Sequence, residues 1–338
     1  MTRKNYVSID ICRYICALFI VIIHTRPFAG LSPAADMISA DITARLAVPF
    51  FFMTAGYFFI NRLPEGKAGL FRCIMKYLRV YLIWSLFYYL IDFVQWGRRD
   101  LSAFVKKCIS DFFIAGSREH LWFMTALIFS MVLTFLFFRA GCRKLLLPVS
   151  AVLYTAGCLG RAYYAVGIQI PVLRQLYTWS GYLTFSRFFF TGFPYFSAGC
   201  LITLIRDRAQ ERKNRFFILF FIFSLIVWAS ETVFLLRMRW AYNLITTFGN
   251  YLLSAAAILL LLRFPMENHR RLGSLCRTLS RFTYYSHMFF ISLMGHGLMI
   301  LFSVQVSGTW KFLFTLAMTF LGGLFIEKTD SKVLKALI

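Results

Sequence analysis

Charge is scarce in this chain, and acidic charge is scarcest. Only 14 Asp and Glu stand against 37 Lys and Arg, and charged residues together make up 15% of 338. A soluble domain carries about 25% charged residues, so a soluble globular chain is excluded. Hydrophobic residues reach 59%, aromatics 19%, and the mean hydropathy is +0.68. Metal-site spacing is missing too. The eight cysteines (Cys12, Cys16, Cys73, Cys108, Cys142, Cys158, Cys200 and Cys276) form no C-x-x-C pair, and no His stands at ligand spacing from them. Most lie in or beside apolar segments, where Cys behaves as a small hydrophobe. Neither a disulfide framework nor a metal is expected. Proline is sparse, and Pro27, Pro49, Pro171 and Pro194 fall near helix ends. Paired broken helices and an inverted repeat, the usual marks of secondary transporters, are absent.

What is present is a series of apolar runs separated by short basic ones. The net charge of +23 sits between hydrophobic segments rather than on one face, which is the positive-inside pattern and not a phosphate-binding surface. Nucleic acid is therefore no partner; the lipid bilayer is. Runs of about 17–25 apolar residues mark membrane helices. Ten are expected, at about 8–25, 43–60, 74–94, 120–138, 145–165, 185–205, 215–235, 240–262, 281–303 and 309–326. The polar stretch from Gln95 to Glu119 holds room for a short amphipathic surface helix around Phe104, Val105, Cys108, Ile109, Phe112 and Phe113. Arg3 and Lys4 before an apolar run resemble a signal peptide. Arg13 interrupts that run and no small-x-small cleavage site follows, so an uncleaved first helix is expected. With the N-terminus inside, 23 Lys and Arg fall in inner segments and 12 in outer ones. The fold class is thus all-α, a polytopic membrane protein of about ten helices with both termini cytoplasmic.

Arg13 and His24 are the strongly polar residues deep in the first apolar segment. Eleven residues apart, they project from one helix face about 16 Å apart along the axis. Intramembrane Arg costs about 2.5–3.5 kcal/mol on insertion scales, which favours a function. The competing reading is that Asp10 neutralises Arg13 at the interface and His24 merely ends the helix. The topology puts His24 at the outer end, level with Glu119 and His120. Arg187 lies just inside the outer end of the sixth helix, and His287 in the inner third of the ninth, with His296 on the opposite face. Asp92, Glu231 and His296 read as interfacial or structural residues.

Five stretches then form a pattern. Asp10-x-x-Arg13 followed by His24 resembles the first-helix signature of the acyltransferase family 3 membrane proteins. Pro49-Phe50-Phe51-Phe52-Met53-Thr54-Ala55-Gly56-Tyr57-Phe58 resembles the family's second-helix motif, with Ala55 where Ser is usual. His120-Leu121-Trp122-Phe123, then Ser186-Arg187 with Gly192-Phe193-Pro194-Tyr195-Phe196, match further motifs in order. Thr283-Tyr284-Tyr285-Ser286-His287 resembles the penultimate-helix Tyr–His motif, one residue short. The resemblance covers essentially the whole chain, 1–338, as a single acyltransferase-3-like transmembrane domain. The wording Arg45-x-x-x-Pro49-Phe50-Phe51-Phe52-Met53 and Ser286-His287-Met288 is similar to a subgroup containing the membrane half of VanT-type serine racemases. There a soluble racemase domain follows, whereas this chain stops at Ile338, either as a stand-alone relative or with a soluble C-terminal domain absent from this sequence; no residue here is placed to bind pyridoxal phosphate.

The resemblance implies a bacterial cytoplasmic-membrane enzyme with acyl-CoA, in the first instance acetyl-CoA, as co-substrate and no bound cofactor. The acceptor is a hydroxyl, often on a glycan at the outer side. His24 would be the base, since His supplies one near neutral pH. Arg13 cannot be a base, but its guanidinium can hold an anionic phosphate or carboxylate. Asp10, Arg45, Tyr57, His120, Trp122, Arg187 and His287 complete the expected substrate-binding set, with Arg187, Tyr57 or His120 as candidate oxyanion donors. His287 either lines a donor passage or bonds between helices. The competing function is transport or binding of a small amino acid such as serine, with a soluble enzyme domain as partner. A homodimer is compatible with both.

Overall fold

The computed structural model describes residues 5–93, 100–112, 116–180, 188–303, 305–329 and 331–338, and among them no strand occurs. The principal helices are α1 (Val7–Thr25), α2 (Ala47–Phe59), α3 (Gly66–Asp92), α4 (Leu101–Ser110), α5 (Trp122–Arg139) and α6 (Leu146–Leu159). They continue with α7 (Pro171–Ser180), α8 (Phe193–Gln210), α9 (Asn214–Met238), α10 (Phe248–Arg263), α11 (Arg270–Phe302) and α12 (Gly308–Lys328). Each of the ten expected segments overlaps one of these helices. Five helical runs are long and apolar enough to cross a membrane: α1, α5, α9, α12 and the run Pro33–Asp92 that contains α2 and α3. The chain is therefore an all-helical protein with several candidate membrane spans.

The helix ends differ from the hydropathy pattern where polar chemistry intervenes. The Gln95–Glu119 stretch holds the expected surface helix as α4, opened by the Asp100 carboxylate accepting from Ala103 N at 2.9 Å. Tyr89 Oη donates to the Cys108 carbonyl at 2.9 Å and so pins α4 to α3. The eighth helix starts at Phe248, not at 240. Residues 240–247 instead spend their backbone groups on side chains: Asn250 Nδ2 donates to the carbonyls of Leu244 (2.6 Å) and Ile245 (3.2 Å). The ninth starts eleven residues early, at Arg270. Its basic first turns hold helical form because Arg277 finds an acidic partner and long cationic stems can lie along apolar surface.

The chain divides into two compact units, residues 1–51, 214–221 and 256–338 in one and 52–213 with 222–255 in the other. The first is built on α1, α11 and α12. Arg277 of α11 pairs with Asp10 of α1, and Ser280 Oγ donates to the Arg13 carbonyl at 3.0 Å. The His24 ring lies against His287 higher up. All three contacts ascend together, so α1 and α11 run parallel. Their register is i to i+267 at the lower end and i to i+263 at the upper, a drift of one helical turn. Helix α12 runs antiparallel to both. Thr278 Oγ1 donates to Glu327 at 2.5 Å near its end. At its start a Cβ on Gly308 would lie 2.2 Å from the Thr25 carbonyl, so only glycine lets α12 reach the end of α1. Thr309 Oγ1 donates to the Pro27 carbonyl at 2.5 Å beside it.

The second unit is held by backbone approach between α2 and α8. A Cβ on Gly56 would stand 2.0 Å from the Phe196 carbonyl, and one on Gly199 1.8 Å from the Met53 carbonyl. Thr203 Oγ1 donates to the Tyr57 carbonyl at 3.0 Å across the same seam. Small residues that admit a neighbouring backbone, plus side-chain hydroxyls, are how helices associate without a hydrophobic drive between them. A tyrosine cluster lies nearby: Tyr154 Oη and Tyr195 Oη are 2.8 Å apart, and they donate to the Thr247 (2.5 Å) and Ile245 (2.7 Å) carbonyls. Glu231 of α9 accepts from Phe248 N and Gly249 N at the start of α10, and from Tyr163 Oη at 2.7 Å. Its role is structural, as its position in the sequence suggests.

Candidate functional site

Asp10, Arg13, His24, Arg45 and His287 all belong to the first unit. On α1 the 19-residue helix keeps Arg13 and His24 in continuous helical phase, so both serve the face that meets α11. Asp10 is buried and ion-paired with Arg277. The sequence offered Arg13 as its neutraliser; the carboxylate also binds a guanidinium from 267 residues away, with Arg13 within electrostatic range.

His24 and His287 form the centre of the arrangement. Their ring centroids are 5.3 Å apart with planes inclined at 40°. His287 is fully buried, whereas His24 is partly exposed. The Nδ1 atom of His287 lies 2.8 Å from the Tyr284 carbonyl and 3.1 Å from that of Thr283. A backbone carbonyl can only accept, so Nδ1 carries the proton and Nε2 is the basic nitrogen of this ring. Tyr284 packs against it at 6.3 Å between centroids, and Phe51 meets Tyr284 edge-on at 5.9 Å. The early start of α11 corrects the depth read from hydropathy. His287 is level with His24.

A chain of charges lies above this pair. Arg26, in the left-handed region at φ 47°, ends α1 and donates through Nε to Asp36 at 2.9 Å. It also pairs with Asp41, which in turn accepts from Arg45 at 3.1 Å. Arg45, about four-fifths buried, is within electrostatic range of the His24 ring. Asp36, Asp41 and Arg277 were not among the expected site residues. The signal that could have found Arg277 is the unpaired Asp10 in an apolar run, which demands a cation from somewhere.

Tyr57, His120 and Trp122 belong to the second unit. His120 is buried and meets Tyr88 edge-to-face at 5.5 Å. The guanidinium of Arg118 lies 5.5 Å over the same Tyr88 ring and pairs with Asp92, which gives Asp92 its structural place. Trp122 packs on Phe52 at 5.9 Å, and Tyr57 is buried in the seam between α2 and α8. Arg187 lies outside the described residues, as does the side chain of His296. Among the described residues no group of three or more His, Cys, Asp or Glu is gathered as a metal site.

Comparison with known proteins adds an independent line. The chain is similar to an amino-acid racemase of Enterococcus faecalis, 31% identical over 239 residues, which are 68% of this chain and 33% of that protein. A second racemase of the same organism is 34% identical over 179 residues, 52% of this chain and 25% of that one. A serine/alanine racemase of Enterococcus gallinarum is 32% identical over 238 residues, again 68% and 33%. The chain thus spans a third or less of the length of the curated relatives it matches. No solved structure matches it. The acyltransferase domain model, however, matches from residue 6 to residue 328. With that match the chain belongs to acyltransferase family 3.

Proposed function

We propose that the chain is an O-acyltransferase of the bacterial cytoplasmic membrane. It moves an acyl group, in the first instance acetyl, from acyl-CoA to a hydroxyl of a cell-surface glycan or related acceptor. The observation that carries this reading is the His24–His287 pair at the end of an Arg-bearing helix. Attack of a hydroxyl on a thioester needs a nitrogen base within hydrogen-bond reach of the attacking group. His24 is the partly exposed member of the pair and takes that role. Arg13, at the other end of α1 and beside the Arg277–Asp10 bridge, holds the anionic phosphates of the donor. Arg45, within electrostatic range of His24, would serve the oxyanion or an acidic group on the acceptor.

The topology that goes with this reading has ten crossings and both termini in the cytoplasm. It is supported by the 23-to-12 split of basic residues and by the parallel course of α1 and α11. Two parallel helices demand an odd number of crossings between them, and antiparallel α12 then returns the chain to the side on which it began. Reporters fused at Met1 and after Ile338 should both score as cytoplasmic; opposite locations would overturn the orientation.

A second reading rests on the relatives' printed names. If this region serves a racemase, Arg13 and Arg45 bind the carboxylate of an amino acid such as serine, and a soluble enzyme domain or a second copy is the partner. The two readings part in one experiment. Purified protein in lipid vesicles is given acetyl-CoA with a glycan acceptor, and separately labelled serine outside. Thioester consumption supports acyl transfer, whereas serine uptake with no thioester consumption sinks it. Under acyl transfer, Arg13→Ala should raise KM for acetyl-CoA about 10- to 100-fold with a smaller change in kcat. Arg13→Lys should recover little of that, because a point charge lacks the forked, bidentate geometry.

A further inference from the structure

We propose that His287 is a positioning residue for His24, accepting its N–H and fixing which of its nitrogens is the base; this rests on the acyl-transfer reading for its catalytic meaning. The direction of the chain follows from its buried end. The Tyr284 and Thr283 carbonyls hold the Nδ1 proton of His287, so Nε2 can only accept. His24 is the neighbouring ring, with its centroid 5.3 Å away. Each imidazole nitrogen sits about 1.1–1.2 Å from its ring centre. A head-on N–H···N bond of about 2.9 Å therefore separates two ring centres by about 5.2 Å. The observed spacing is that separation, and rotation of His24 about χ2, a soft torsion, brings its N–H onto Nε2 without moving either helix. The other nitrogen of His24 is then unprotonated and faces away from His287.

The consequence for the reaction balances. The acceptor oxygen bonds the thioester carbon as its proton passes to the outward nitrogen of His24. The inward N–H stays on His287 throughout, so the imidazolium cannot turn away. When the tetrahedral adduct collapses, the C–S bond breaks, the proton goes to the leaving thiolate and His24 is neutral again. In the sequence the two histidines stand 263 residues apart, in separate stretches. Here they form one unit whose orientation comes from main-chain carbonyls of α11.

The test uses two isosteres that differ in which imidazole nitrogen they replace. In His287→Gln the amide reaches the Nε2 position and its carbonyl can accept from His24. In His287→Asn the amide replaces Nδ1 only, keeping the bond to the main chain but leaving His24 without an acceptor. The expected result is kcat within about fivefold of wild type for Gln and about 10²-fold lower for Asn, with KM for acetyl-CoA unchanged in both. Nitrogen-15 spectra of histidine-labelled wild-type protein in lipid should show His24 as a single tautomer coupled through a hydrogen bond to Nε2 of His287. Equal losses in the two variants, a loss confined to KM, or a mixed His24 tautomer in the wild type would overturn the pairing. Wild-type protein that consumes no acetyl-CoA would defeat the functional reading alone, since the spectra judge the pairing without turnover. They do so even where a variant fails to fold.

Discussion

His24→Ala should reduce acyl transfer by at least 10²-fold, to 10⁴-fold at the upper end of what a positioned base contributes (about these magnitudes), while the folded protein still binds acetyl-CoA. The substitution deletes a proton acceptor at the C-terminal end of α1 and leaves Arg13 and the Arg277–Asp10 bridge as they are. The loss belongs in kcat, because an interaction made only as the hydroxyl attacks does not stabilise the ground state. A binding measurement by quenching or calorimetry beside the turnover assay separates the two. In an amino-acid transporter the same change would weaken substrate affinity instead. Unchanged kcat with raised KM would remove His24 from the role of base.

Gly199→Leu should abolish recovery of folded protein. A Cβ at 199 already meets the Met53 carbonyl at 1.8 Å and the Tyr57 amide nitrogen at 2.8 Å. Neither atom is the tip of a flexible side chain, so α2 and α8 must part. Overpacking of this kind costs about 3 kcal/mol or more, and separation also breaks the Thr203–Tyr57 bond of 3.0 Å. Gly199→Ala should be damaging for the same reason, since the clash begins at Cβ. Gly30→Ala, with no heavy atom within 4 Å of the added carbon, is the control and should be neutral. Detergent-extracted yield and a thermal unfolding scan read the difference; a monodisperse Gly199→Leu protein with the wild-type midpoint would refute the account of the seam.

These two expectations show how unevenly the sequence discloses the molecule. Hydropathy alone located a helix in each of ten places, because a bilayer leaves the backbone little choice once a run is apolar enough. It misplaced ends where side chains compete with main-chain bonding, as Asn250 does before α10. It failed at the start of α11, where the basic turns from Arg270 look like a loop until Asp10 supplies a partner. The phase of Arg13 and His24 was legible, being local geometry of one helix. That His287 is level with His24 was not, because depth depends on where α11 begins. Gly56 was visible as part of a motif, yet its reason, a carbonyl 2.0 Å from where a Cβ would be, exists only once α8 is beside it. In the charge chain from Arg26 through Asp41 to Arg45, the i,i+4 spacing of Asp41 and Arg45 lies in the sequence, but the reach of Arg26 to Asp41 does not.

The carboxylate of Glu231 has a further bearing, on how the chain enters the bilayer. It is borne by α9 but accepts from the first amides of α10, so until α10 is present its bonding is limited to groups such as Tyr163 Oη that precede it in the chain. An acidic residue presented singly to lipid is costly, whereas one that meets a helix N-terminus gains from both the free N–H groups and the local dipole. The stable species is therefore the hairpin and not either helix by itself. During synthesis the machinery that inserts this protein must hold α9 at the edge of the lipid until some seventeen further residues have emerged, the distance from Glu231 to Phe248, and release the two segments together.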